Sequence, residues 1–262
     1  MLTDELKLYS SQAILQEIYS YQRKVSSIGH PATITQLDIA RTFQKLAEFL
    51  TNPGPEHHAA VDRSIQYLYG TRSLALEYGV TDREQTPGTP LFISSSDASF
   101  ADDSMTRKST EGYLFQLFGG PIDWRCTKQK TVTTSTTEAE LMALSHAAKE
   151  LLWWQRFFTG IQLDLDQEYQ INCDNLQTVG LILKETPRLV TKLKHVDIHQ
   201  HWLRQEVAHQ KLQIHWISTT EMPADGLTKA LPRQKHEAFV RQLRLVDIKD
   251  TLSQIHRSTA SY

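Results

Sequence analysis

Ser135-Thr-Thr-Glu-Ala-Glu-Leu-Met-Ala-Leu-Ser-His-Ala-Ala-Lys-Glu-Leu-Leu152 divides two patterns in this chain, short strands before it and alternating strands and helices after it. Its apolar spacing predicts a long helix over 136–158. Two glutamates in it lie two positions apart, so they point about 200° away from each other. Counting from Glu140, the same face carries Ala143, Leu144, Ala147, Ala148, Leu151 and Leu152, all apolar. Counting from Glu138, it carries Leu141, Met142, Ser145, His146 and Lys149. With Ser135 as N-cap, Glu138 occupies the third helical position, where it completes a capping box by reaching back to the cap. Glu140 is then an acid at the end of an apolar stripe, a costly place without a partner or a metal.

Upstream of this helix, 91–93 is a short strand ending near Asp97. Segments 112–118 and 122–126, joined by Gly119-Gly-Pro121, read as a hairpin. Downstream, a strand over 169–173 precedes helices over 176–184 and 195–209. A last strand over 212–217 leads into a helix beginning near Pro223. Three leading strands suggest antiparallel pairing, and the helical crossovers that follow demand parallel additions. The expected fold is α/β, a mixed sheet flanked by helices. The first 80 residues read as a small helical region, with helices over 38–50 and 56–69 separated by the breakers Thr51-Asn-Pro-Gly-Pro55. The polar stretch 81–90, with two prolines and a glycine, is the expected linker. The second domain is expected over 91–245, with a tail over 246–262.

At 262 residues and 40% apolar, the chain can fill one large or two modest cores. A net charge of −2 advertises no polyanion partner globally, so any basic face has to be local. Cys126 and Cys173 provide neither a disulfide framework nor a metal-binding pair. The first residues lack signal-peptide character, and no apolar run reaches the roughly 18 residues of a membrane span. A soluble intracellular protein is expected, with no membrane partner and no small-molecule cofactor.

Four acids stand in distinctive contexts: Asp97 after a strand, Glu140 on the long helix, Asp174 in I-N-C-D-N, and Asp225 in M-P-A-D-G-L-T-K. Each has an ordinary structural explanation. Aspartate after a strand is common turn chemistry, Asp174 can cap the next helix, and Asp225 suits the first turn of a helix. Carboxylates converging from separate elements repel one another unless a cation sits among them. Hard divalent ions favour oxygen ligands, and a pair of such ions supports in-line phosphodiester cleavage. The pattern points to a metal-dependent nuclease.

The segment D-A-S-F-A-D-D-S-M-T-R-K-S-T-E-G (97–112) resembles a block of copia-type retrotransposon ribonuclease H. W-R-C-T-K-Q-K-T-V-T-T-S-T-T-E-A-E-L (124–141), C-D-N (173–175), K-H-V-D-I-H-Q-H-W-L-R-Q-E-V (194–207) and P-A-D-G-L-T-K-A-L-P (223–232) match it in order. L-D-I-A-R-T-F-Q-K-L-A-E-F-L-T-N-P (37–53) and I-Q-Y-L-Y-G-T (65–71) are similar to the tail of the copia-type reverse transcriptase. The resemblance implies the ribonuclease H fold with a five-stranded sheet, behind a reverse-transcriptase tail over 1–80. It implies Asp97, Glu140, Asp174 and Asp225 as catalytic and metal-binding residues, with two Mg²⁺ ions or alternatively Mn²⁺. The implied partners are an RNA–DNA hybrid, read by shape and 2′-hydroxyls, and the rest of a Pol polyprotein. Three departures stand out: no histidine in 216–224, as in copia-type relatives, Gln36-Leu37 in place of Arg-Pro, and Ser99 in place of a second acid. The alternative from another class is an inactive relic, or a nucleic-acid-binding connection module with the same fold.

Basic side chains supply phosphate contacts on this reading: Arg107, Lys108, Lys128, Lys130, Lys194 and His195, although solvated faces also carry such charges. Phe100-Ala-Asp-Asp103 imitates a polymerase signature but lacks the flanking apolar strands. His195, His199 and His201 lack the accompanying residues of a zinc site.

Overall fold

The computed structural model describes residues 6–79, 90–183 and 194–253. They form two compact units, Met1–Glu77 with Ala230–Tyr262, and Tyr78–Lys229. The expected linker lies outside the described residues except for Pro90.

The first unit contains α1 (Leu15–Ile34), a 3-10 turn (Leu37–Ile39), α2 (Ala40–Ala47), α3 (Pro55–Gly70) and β1 (Leu74–Leu76). The helix expected over 38–50 therefore divides into the turn and α2. Asp38 is buried there, and the Tyr67 hydroxyl donates to its carboxylate. Tyr21, Val25, Ile28, Leu46 and Val61 form the core.

The second unit begins with β2 (Phe92–Ser99), β3 (Thr110–Leu117) and β4 (Gly120–Lys128), an antiparallel meander. Its tight turn at Phe118 and Gly119 has φ of 51° and 80°, the pair of positive values that matches strand twist in a two-residue hairpin. The chain continues through α4 (Thr136–Gly160), β5 (Gln170–Cys173), α5 (Leu176–Leu183), α6 (Lys194–Ala208), β6 (Gln213–Trp216) and α7 (Asp225–Thr228). Strands β5 and β6 add in parallel, giving the sheet order β4-β3-β2-β5-β6. This is the expected mixed five-stranded sheet of the ribonuclease H fold. Phe92, Phe115, Ile171 and Ile214 from the sheet meet Leu141, Leu144, Leu151 and Phe158 from α4 in the core.

Strand β2 runs well past its apolar start. It continues through Ser94, Ser95, Ser96 and Asp97, all buried, because β3 pairs with its backbone throughout, and β5 at Ser94 and Ser95, whatever its side chains are. After α7 come α8 (Arg233–Gln242) and β7 (Leu245–Asp247). These belong to the first unit: β7 pairs antiparallel with β1, and His236 meets Tyr67 edge to face. The second unit thus stops at Lys229 rather than at the expected 245. Residues 254–262 of the expected tail lie outside the described residues.

Candidate metal centre

Asp97 sits on the central strand β2, whose position next to α4 and β5 brings two other acids to it. Oxygens of Asp97, Glu140 and Asp174 lie within 4.8 Å of one another. Asp97 and Glu140 are buried, and Asp174 is half-buried. Burial first, reinforced by Asp174 and Asp225 and opposed by Lys229 and Thr228, lifts the Asp97 carboxyl to about 6. Burial, then Asp97 and Asp174, push Glu140 well above the usual carboxylate range. Its Oε2 is buried with no hydrogen-bond partner.

The two glutamates of α4 part ways through their partners rather than through burial, since both are buried. The Glu138 backbone N–H donates to Ser135 Oγ at 3.2 Å. The Glu138 carboxylate accepts from the Thr134 N–H at 2.6 Å and the Thr134 hydroxyl at 2.8 Å. The cap therefore reaches one residue further back than a simple capping box. Glu138 is occupied at the helix start, and Glu140 joins the acids.

Asp174 is not the cap of α5. Asn175 Oδ1 accepts from the Thr178 N–H at 2.9 Å and takes that role. Asp174 instead accepts from the Thr219 hydroxyl on Oδ2 at 2.8 Å, and from the Trp216 indole N–H on its carbonyl at 2.9 Å. These donors hold Asp174 from the end of β6 and the turn that follows it.

Asp225 stands slightly apart from the other three. It opens α7, and its Oδ1 is bound by Lys229 Nζ, four residues on. The same ammonium lies 3.4 Å from Asp97 Oδ1, and the Thr228 hydroxyl donates to Asp97 Oδ2. Burial alone would lower the Lys229 pKa, but Asp97, Asp225 and Asp174 together raise it. Thr228 and Lys229 were not singled out as site residues from sequence. The available signal was the spacing in D-G-L-T-K, which places an acid and a lysine one turn apart on a helix.

Three carboxylates in reach of one another, one with an orphaned buried oxygen, fit a hard divalent cation. Among the described residues no sulfur or imidazole joins the group. Of the basic residues, Arg107 and Lys130 are exposed and Lys108 is half-buried. Lys128 instead forms an ion pair with Asp103. The side chains of Lys194 and His195 lie outside the described residues. The polymerase-like Phe100–Asp103 segment is a structural loop, in which Asp102 accepts from Thr110 and Asp103 from Thr106. Ser99 ends β2 opposite Thr110 and is outside the acidic group. Ser145 Oγ and His199 Nδ1 are hydrogen-bonded at 2.6 Å, and His201 lies 3.5 Å from Asp197.

The retrovirus-related Pol polyprotein from transposon TNT 1-94 of Nicotiana tabacum is 38% identical over 217 residues, 83% of this chain. That from transposon RE1 of Arabidopsis thaliana is 31% identical over 240 residues, 91% of this chain. This chain belongs to the copia-type retrotransposon Pol family. It spans 16% of the length of each of those two polyproteins. Over 133 residues it is also 39% identical to secreted RxLR effector protein 161 of Plasmopara viticola, covering 51% of this chain and 89% of that protein. LC11-RNase H1 from compost superposes with a TM-score of 0.42 at 16% identity, covering 53% of this chain and 94% of that one. No family model matches the chain. In this Pol family member no described helix is long and apolar enough to cross a membrane.

Proposed function

We propose that the unit Tyr78–Lys229 is a divalent-metal-dependent endoribonuclease of the ribonuclease H type, cutting the RNA strand of RNA–DNA hybrids. In the parent element this would remove template RNA during reverse transcription, with residues 1–80 acting as a reverse-transcriptase tail. The observation that carries the reading is the convergence of Asp97, Glu140 and Asp174 with an unpartnered Glu140 oxygen.

Asp97, Glu140, Asp174 and Asp225 would hold Mg²⁺, with Mn²⁺ as the alternative. A pair of such ions, when bound, activates a water and stabilises the departing oxygen in phosphodiester cleavage. The protein's own part is positioning. The Thr228 hydroxyl orients Asp97, and Thr219 and Trp216 orient Asp174. Rigid β2 and the capped start of α4 fix the spacing between Asp97 and Glu140. Arg107 and Lys108 lie in the loop between β2 and β3 and Lys130 just beyond β4, where they suit a phosphate backbone. Lys128 contributes indirectly, by holding that loop through Asp103.

The test is cleavage of a labelled RNA–DNA hybrid by the full chain. RNA-strand cutting that needs Mg²⁺, stops with chelator, and is lost in Asp174→Asn is the expected result. Absence of metal-dependent cutting by the unsubstituted protein would leave the rival, a nucleic-acid-binding module with the same fold.

A further inference from the structure

Lys229 is placed where a metal ion would have to compete with it. Its ammonium lies 3.4 Å from Asp97 Oδ1 and is bonded to Asp225 Oδ1, so one cation already bridges two of the four acids. Asp97 Oδ2 is taken by the adjacent Thr228 hydroxyl. Both oxygens of the most buried acid are therefore served by consecutive residues at the end of α7. Asp97 is fully buried on a central strand and cannot move aside. The Lys229 side chain is 38% exposed and sits on a flexible four-carbon stem. Of the two partners, the lysine is the one with somewhere to go.

We propose that Lys229 is a positioning residue that acts as a built-in counter-ion, holding Asp97 and Asp225 together before a divalent ion binds and yielding their oxygens when it does. The proposal rests on the metal-site reading above. Its chemistry is an exchange of ligands: the ammonium leaves two carboxylate oxygens, and the metal takes them. A single positive charge among four acids leaves the cluster negative, so a divalent ion is still attracted. Lys229 lowers the affinity for the ion, and in return the acids stay gathered without it.

The experiment uses the full chain with Mn²⁺ or Mg²⁺ alone, read by calorimetric titration and thermal melting. Lys229→Met is expected to bind the metal about tenfold more tightly, roughly 1.4 kcal/mol. It should also melt lower than the unsubstituted protein without metal, with the gap closing at saturating metal. Lys229→Arg, which keeps the charge, should stay near the original affinity. A second readout uses the unsubstituted protein and is independent of how the variants fold. Acetic anhydride labelling followed by mass spectrometry should show Lys229 becoming several-fold more reactive when Mg²⁺ is added, while Lys211 stays constant. Equal or weaker metal binding by Lys229→Met, or Lys229 reactivity that does not rise with metal, overturns the proposal and leaves the metal site standing. If the unsubstituted protein binds no divalent ion and Asp97→Asn behaves identically, the metal-site reading falls with it.

Discussion

Glu138 and Glu140, two residues apart on one helix and both buried, should respond in opposite ways to the same substitution. Glu138→Gln removes a charge that accepts two hydrogen bonds from Thr134, at 2.6 and 2.8 Å. A hydrogen bond to a charged group contributes about 1.5–3 kcal/mol, and a glutamine oxygen recovers part of it. Loss of the negative charge in the first helical turn adds about 0.5 kcal/mol. The expected cost is about 2 kcal/mol, which for a unit of this size lowers the melting temperature by roughly 4–8 °C. Glu140→Gln has the other sign at pH 7 without metal. It removes an acid whose ionisation burial, Asp97 and Asp174 all disfavour and whose Oε2 has no partner, so the melting temperature should hold or rise. Added Mg²⁺ reverses the ranking. A ligand at about 100 times its dissociation constant stabilises by about 2.7 kcal/mol, a gain that Glu138→Gln keeps and Glu140→Gln loses. Differential scanning fluorimetry with and without Mg²⁺ reads both effects. A destabilised Glu140→Gln, or a Glu138→Gln that no longer responds to Mg²⁺, would refute the assignment of the two side chains.

Asp103 gives a pH-dependent test away from the acidic centre. Burial raises its pKa, but Lys128, Thr106 and the Met105 N–H more than offset this and hold it well below the ordinary 3.8. A depressed carboxylate stabilises the fold above its unfolded pKa, and the benefit fades as pH falls toward the folded value. Asp103→Asn should therefore cost about 2 kcal/mol at pH 7, with the difference from the original protein shrinking below about pH 4; a gap that is flat between pH 3 and 7 in urea melts contradicts it. Gly112 pairs with Asp97 across β2 and β3, and a Cβ there would lie 2.9 Å from Leu227 Cβ and 3.1 Å from Thr228 Cγ2. Gly112→Ala should destabilise by about 1–3 kcal/mol and weaken metal binding by displacing α7, so unchanged stability and affinity would show that α7 does not pack there.

The local pattern of residues carried most of the architecture. Hydrophobic period located α4, the β3–β4 hairpin and the later strands and helices, because each presents a face whose spacing is set by its own geometry. The three leading strands and the helical crossovers after them then left the mixed sheet as the natural result. Glu140 was separable from Glu138 for the same reason, since helix periodicity is a property of consecutive residues. The five motif blocks placed the acids in register with a known family.

Other features depended on residues distant in sequence. The serines of β2 give no strand signal by themselves; pairing with β3 and β5 makes them one. Asp174 looked like a helix cap until Asn175 took that hydrogen bond and Thr219, 45 positions away, took the acid. Residues 230–247 were drawn out of the second unit by the pairing of β7 with β1, a contact that bridges about 170 residues. Lys229 shows the division most clearly. Sequence places it one turn after Asp225, but only the packing of α7 against β2 and β3 brings its charge to Asp97, 132 positions earlier. Sequence determined which acids are candidates for the proposed metal site; tertiary structure decided which cation already stands among them, because electrostatic partners are chosen by distance in space.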